Sequence, residues 1–247
     1  MQYRHRVGGY SPAYFPNGVK WLLIVNTAVF LLDFFAQAWF GVDPFFLFPL
    51  VPAYVLNGML WQLVTYMFLH AGVWHLVFNM LALWMFGAEL ERDWGTRLFL
   101  KYYFLCGIAA GLCVVLVSLV RPSEAHIPTL GASGAIYGLL LAYGVLYADR
   151  IILFMLLFPM KAKYAVMVFG AIEFIGFWTP GTGVSHVAHL GGMLFGYLYL
   201  KTRLQRRPGN PATSLRTRFQ DWKRQRARRK FQVYMKKQRS HHDPWVN

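Results

Sequence analysis

The sequence predicts an all-α polytopic membrane protein: a bundle of six transmembrane helices with both chain ends on the cytoplasmic side, followed by a basic tail. Three observations predict it. The 247 residues are 57% hydrophobic and only 14% charged, against roughly 45–50% and about 25% in soluble globular chains. Apolar runs of near-spanning length recur along the chain; a hydrocarbon core of about 30 Å needs about 20 such residues per helix. Lys and Arg, finally, gather almost wholly on one side of those runs. Aromatics at 18% and a mean hydropathy of +0.37 exclude a disordered, collagenous or disulfide-scaffold chain.

The runs lie at 19–40, 71–88, 97–120, 133–148, 161–178 and 186–200. Backbone inside hydrocarbon must satisfy its own hydrogen bonds, so each run is predicted helical. The first follows a basic start and holds Ala36-Gln37-Ala38, which looks like a signal-peptidase site. Its length, Asp33 within it and the spans that follow predict that it is retained. Cys106 and Cys113 share one helix face but sit about 10 Å apart along it, so they are packing residues rather than a disulfide. Arg4, Arg6 and Lys20 precede the first span, Arg92, Arg97 and Lys101 bracket the turn after the second, and Arg150, Lys161 and Lys163 lie between the fourth and fifth. Arg121 alone of the 25 Lys and Arg falls on the opposite side, which sets both ends in the cytoplasm.

Two domains are expected. Residues 1–200 are nearly neutral, with ten Lys/Arg against eight Asp/Glu; residues 201–247 carry fifteen against Asp221 and Asp243. The tail breaks at Pro208-Gly209-Asn210-Pro211, then mixes basic residues with Phe219, Trp222, Phe231 and Tyr234. It reads as a helix lying on anionic headgroups or as a nucleic-acid arm, and tethering to a bilayer favours lipid over nucleic acid. Two connections stand out. Segment 41–70 has no Lys or Arg, but has Pro44, Pro49, Pro52 and several aromatics including Trp61; it is expected in the outer interface, packed on the bundle. Segment 151–160, ended by Pro159, is too short to span and is expected as an interfacial extension of the fourth helix.

Polar residues inside spans are expensive, and each is a functional hypothesis. His75 and Asn79 lie in the second run, Ser133 opens the fourth and His189 is in the sixth. Singly, each has a bland reading: a bond to the helix's own carbonyl or an interhelical hydrogen bond. Their depths argue otherwise. Ser133 is 16 residues from Asp149, His75 14 from Glu89 and His189 12 from Lys201, roughly 24, 21 and 18 Å at 1.5 Å per residue. All three therefore sit at similar height, nearer the outer surface. Gly134, Gly138 and Ala142 form a small-residue stripe, as do Ala188, Gly192 and Gly196; such stripes let membrane helices approach closely. If they face each other, Ser133 and His189 meet, and imidazole can take the proton of an attacking hydroxyl. Asp33 and Glu173 belong to other spans, so a dyad without a carboxylate is expected, with Tyr137 packing on the imidazole. The helix start at Ser133 supplies N–H donors for an oxyanion, and His75 and Asn79 supply side-chain donors. The histidines lack a clustered ligand set with Cys or carboxylate, so neither metal nor cofactor is expected.

These residues carry a resemblance to the rhomboid intramembrane serine proteases. The matching stretches are Trp61 in WQLVTYMFLH, His70 to Met80 (HAGVWHLVFNM), Gly131 to Gly134 (GASG) with Tyr137, and Ala188 to Gly196 (AHLGGMLFG). Glu91 and Gly95 in FGAELERDWG match a family turn, and together the stretches cover residues 20–200. The resemblance implies a protease with Ser133 as nucleophile and His189 as base. It implies an oxyanion and substrate-binding region at His75, Asn79, Ala132 and the Ser133 amide, supported by His70, Gly131, Gly134, Gly192 and Gly196. Its substrates would be transmembrane segments of other membrane proteins, admitted past the fifth span and loop 179–185 (Pro180, Gly181, Gly183). Segment 41–70 would be a membrane-embedded first loop. Gln62 stands where many members carry Arg, which loosens the expected anchoring of that loop. Rival readings are a catalytically silent rhomboid-like chaperone or binder of unstable helices, and a small transporter using His75 and His189 as a proton path. A bacterial plasma membrane is the expected location.

Overall fold

The computed structural model describes residues 15–154, 157–178 and 186–205. The chain divides into two units, Met1–Leu200 and Lys201–Asn247. The aromatic-basic tail beyond residue 205, the loop 179–185, and Arg4 and Arg6 lie outside the described residues.

Helix α1 (Asn17–Phe40) follows Pro16 and ends at Gly41, whose φ of 63° lets its N–H close back on Ala36 and Gln37. Ala36-Gln37-Ala38 therefore lies within the last turns of a continuous helix. Only Gly18, Val19, Leu22 and Asn26 of α1 are buried, while Trp21, Leu32, Phe34 and Trp39 are exposed. Such an apolar outer surface suits hydrocarbon as the surrounding solvent.

Segment 41–70 folds into two short helices, α2 (Pro52–Leu56) and α3 (Gln62–Thr65), and a 3₁₀ turn at Tyr66–Phe68. Leu50 and Thr129 pair by two backbone hydrogen bonds of 2.9 and 2.8 Å. Gln62 corrects the expectation of a loosened anchor. Its side chain is fully buried, accepts from the Val51 N–H at 3.0 Å and donates to the Leu47 carbonyl at 3.0 Å. An amide carries both donor and acceptor, and this turn needs one of each. Gln62→Ala should therefore cost about 1–3 kcal/mol, because it orphans the buried Val51 N–H, while the Leu47 carbonyl keeps the Trp61 indole N–H as a donor. A lowered thermal midpoint in detergent would show it, while Gln62→Glu, which keeps the acceptor alone, should recover only part.

The second apolar run forms α4 (Val73–Ala82), a π-helical turn (Leu83–Gly87) and α5 (Ala88–Trp94). Gly95, at φ 78°, breaks the chain before α6 (Thr96–Val120). Helix α6 is the hub: Phe99, Tyr102, Tyr103 and Cys106 are completely buried. Among the described residues three helices, Asn17–Phe40, Val73–Trp94 and Thr96–Val120, are long and apolar enough to cross a membrane. Helix α7 (Ser133–Leu146) is apolar but shorter; α8 (Ala162–Phe177) and α9 (His186–Gln205) complete the bundle.

The expected helical extension at 151–160 is not there. Ile151–Phe154 (β1) and Phe158–Lys161 (β2) pair antiparallel, Ile151 opposite Lys161. Tyr147 leaves helical geometry at φ −119°, Ile151 and Ile152 are β-branched, and Pro159 would deny a helix its N–H but is tolerated in a two-stranded ribbon.

Candidate active site

Small residues decide how closely α7 and α9 approach. A Cβ added at Gly192 would lie 1.9 Å from the Gly134 carbonyl oxygen, and one at Gly196 would lie 3.3 Å from the Gly138 Cα. The two glycine stripes thus meet backbone to backbone. Gly134 and Gly138 also admit Ala110 and Cys106 of α6, and the Tyr102 hydroxyl donates to the Gly138 carbonyl at 2.9 Å.

This contact sets the polar residues. Ser133 is the first residue of α7, entered through Gly131, whose φ of 120° excludes other side chains and whose N–H is held by the Tyr66 carbonyl at 2.9 Å. His189 is buried on α9, with its Nε2 2.7 Å from the Ser133 Oγ. The Tyr137 ring stacks on the imidazole at 4.1 Å and 9°. A hydroxyl donating to an imidazole can transfer its proton while it attacks an electrophilic carbon.

His75 stands across the Gly131 turn. A Cβ at Gly131 would be 2.8 Å from its Nε2 and 3.7 Å from the Ser133 Oγ, so the missing side chain leaves a space bordered by both. Asn79 gives one amide hydrogen to the His75 carbonyl at 2.8 Å, which leaves its second donor available. The His70 ring lies edge-on to His75 at 5.1 Å. Burial, and then His75, push the His70 imidazole down to about 4, so at neutral pH it is uncharged. Ala132 is fully buried behind the turn. A cavity of about 1320 Å³ opens beside Ser133, His75, Asn79 and His189 and runs along apolar residues such as Met85 and Phe169.

Two expectations are corrected on α8. A carboxylate does reach the imidazole: Glu173 Oε2 lies 2.9 Å from His189 Nδ1 and 2.6 Å from His186 Nδ1. Its Oε1 accepts a short hydrogen bond from the Tyr137 hydroxyl. The histidines also do have a clustered ligand set, since donor atoms of Glu173, His186 and His189 lie within 4.8 Å of one another. Donors sharing a tetrahedral zinc ion stand about 3.3 Å apart, so the 2.6 and 2.9 Å contacts are direct pairings. His186 was missed in the sequence. The signals were its i, i+3 spacing from His189 and Glu173 as the one acid in the run 161–178.

The chain is similar to known proteins over much of its length. Residues 57–206 match the rhomboid domain family. The chain is 34% identical over 188 residues to the mitochondrial Rhomboid protein 1 of Saccharomyces cerevisiae, covering 74% of this chain and 52% of that one. It is 33% identical over 143 residues to Rhomboid protease GluP of Bacillus subtilis, covering 58% and 26% respectively. With Rhomboid-like protein 11, chloroplastic, of Arabidopsis thaliana it shares 34% identity over 193 residues, covering 73% and 63%. The chain thus spans about half the length of the yeast relative and about a quarter of GluP.

Proposed function

Because this chain belongs to the rhomboid family, we propose that it is an intramembrane serine endopeptidase that cleaves transmembrane segments of other membrane proteins. The observation that carries the reading is the 2.7 Å contact of Ser133 Oγ with His189 Nε2, made beside a long apolar cavity. Ser133 attacks the scissile carbonyl as His189 takes its proton. The tetrahedral oxyanion is received by N–H groups at the start of α7, with His75 and Asn79 as side-chain donors. His189 returns the proton to the leaving amine, and water then releases the acyl group from Ser133. A spanning helix hides its carbonyls in its own hydrogen bonds, so the substrate must unwind locally to reach Ser133.

The protein is an integral multi-pass membrane protein. Since relatives include mitochondrial and chloroplastic proteins, the family does not choose between membranes. The charge asymmetry supports six spans with both ends in the cytoplasm, where residues 201–247 would meet anionic headgroups.

Reconstituted in liposomes with a model single-span substrate, the wild type should cleave and Ser133→Ala should not. A fluorophosphonate should label Ser133. Equal cleavage by both proteins, or none by either over varied substrates, would overturn the reading, the second result favouring the non-catalytic binder.

A further inference from the structure

We infer that Glu173 is a positioning residue of this site, a third member that sets the proton and the ring angle of His189. The inference rests on the reading of Ser133 and His189 as nucleophile and base. Glu173 is only 4% exposed, on a helix otherwise rich in aliphatic and aromatic side chains. A carboxylate is kept in such surroundings only when its charge and lone pairs are met. Its partners are Tyr137, His186 and His189; Tyr137 stacks on the imidazole and His189 is the imidazole itself.

The consequence for the ring is specific. With Nε2 facing Ser133 and Nδ1 facing a carboxylate, the tautomer protonated on Nδ1 is favoured. That tautomer leaves the Nε2 lone pair to receive the hydroxyl proton. The same carboxylate holds the Tyr137 hydroxyl, so it fixes the ring from its Nδ1 edge and, through Tyr137, from its face. The 2.9 Å approach to Nδ1 is a close polar contact rather than a well-aligned hydrogen bond, since Nδ1 has no partner within bonding angles. The better-aligned 2.6 Å bond goes to His186, whose ring occupies the space left open by Gly176. His186 thereby holds the carboxylate within reach of His189, and such contacts commonly straighten once substrate is bound.

The test uses the full chain in detergent or liposomes. Glu173→Gln keeps shape and loses charge; it should lower kcat about 10- to 100-fold with KM little changed. It should slow fluorophosphonate labelling of Ser133 by the same factor, since labelling needs an activated hydroxyl but no bound transmembrane segment. Glu173→Asp, which keeps the charge, should restore part of both rates. Wild-type kcat and labelling in Glu173→Gln, with Ser133→Ala inactive, would overturn this inference and leave the protease reading intact. A loss that follows a fallen thermal midpoint and is not relieved by Asp would assign Glu173 a merely structural role and overturn it too. An inert wild type would overturn both readings.

Discussion

Gly192→Ala should abolish cleavage although every proposed reacting group is retained. The added methyl would lie 1.9 Å from the Gly134 carbonyl oxygen and 2.9 Å from its carbon. Those are backbone atoms of a helix locked by its own hydrogen bonds, so no rotamer change relieves the clash; the helices must separate by roughly 1 Å or more. Ser133 lies beside Gly134 on one helix and His189 one turn from Gly192 on the other, so separation falls directly on their 2.7 Å contact. A displacement of about 1 Å can cost 10²-fold in rate, and a longer donor–acceptor distance leaves hydrogen-bond range altogether. Cleavage and fluorophosphonate labelling should disappear together, while far-ultraviolet circular dichroism in detergent stays helical. Gly170→Ala is the matched control. Its methyl would meet only the end of Met193 at 3.5 Å, ordinary contact with a flexible side chain. Activity of Gly192→Ala within a few-fold of wild type would contradict the backbone contact.

The pairing of Ser133 with His189 was legible because two independent periodicities agreed: the depth of each polar residue and the small-residue stripes beside it. Both are properties of a single helix. Glu173 and His186 were not legible in that way. Sequence gives height along a helix, but a lone acid in an apolar run can point toward any neighbour, and which one depends on how α8 is rotated. The hairpin at 151–160 was missed for another reason. A run of Ile, Leu, Phe and Met interrupted only by Pro159 has no period that separates helix from strand, and pairing between its two halves decided the outcome. For Gln62 the charge of an expected Arg was given too much weight. The turn consumes one donor and one acceptor, which an amide provides. The π turn at Leu83–Gly87 leaves no composition signal, because it differs from its flanks by a single added backbone residue.

Glu91→Ala should cause the largest loss of stability among single changes away from Ser133 and His189. Glu91 is 3% exposed, and its carboxylate accepts from the Gly18 and Val19 N–H groups at 2.7 Å each and from the Thr96 hydroxyl at 2.6 Å. Gly18 and Val19 belong to the first turn of α1, whose N–H groups have no partner within their own helix. Pro16 before them offers no side-chain cap. The cap is therefore supplied by α5, and its negative charge suits the positive end of the α1 dipole. Removal strands two buried donors at about 1–3 kcal/mol each and loses bonds strengthened by the charge. A total of roughly 3–5 kcal/mol is expected, read as a fall in the denaturation midpoint in detergent. Glu91→Gln separates capping from packing. Its amide fills the same space but presents one acceptor where two N–H groups point, so its NH₂ must face a donor. It should lose most of what alanine loses. Wild-type stability in Glu91→Gln would show that shape alone seats α1, and the carboxylate's role as a cap would fall.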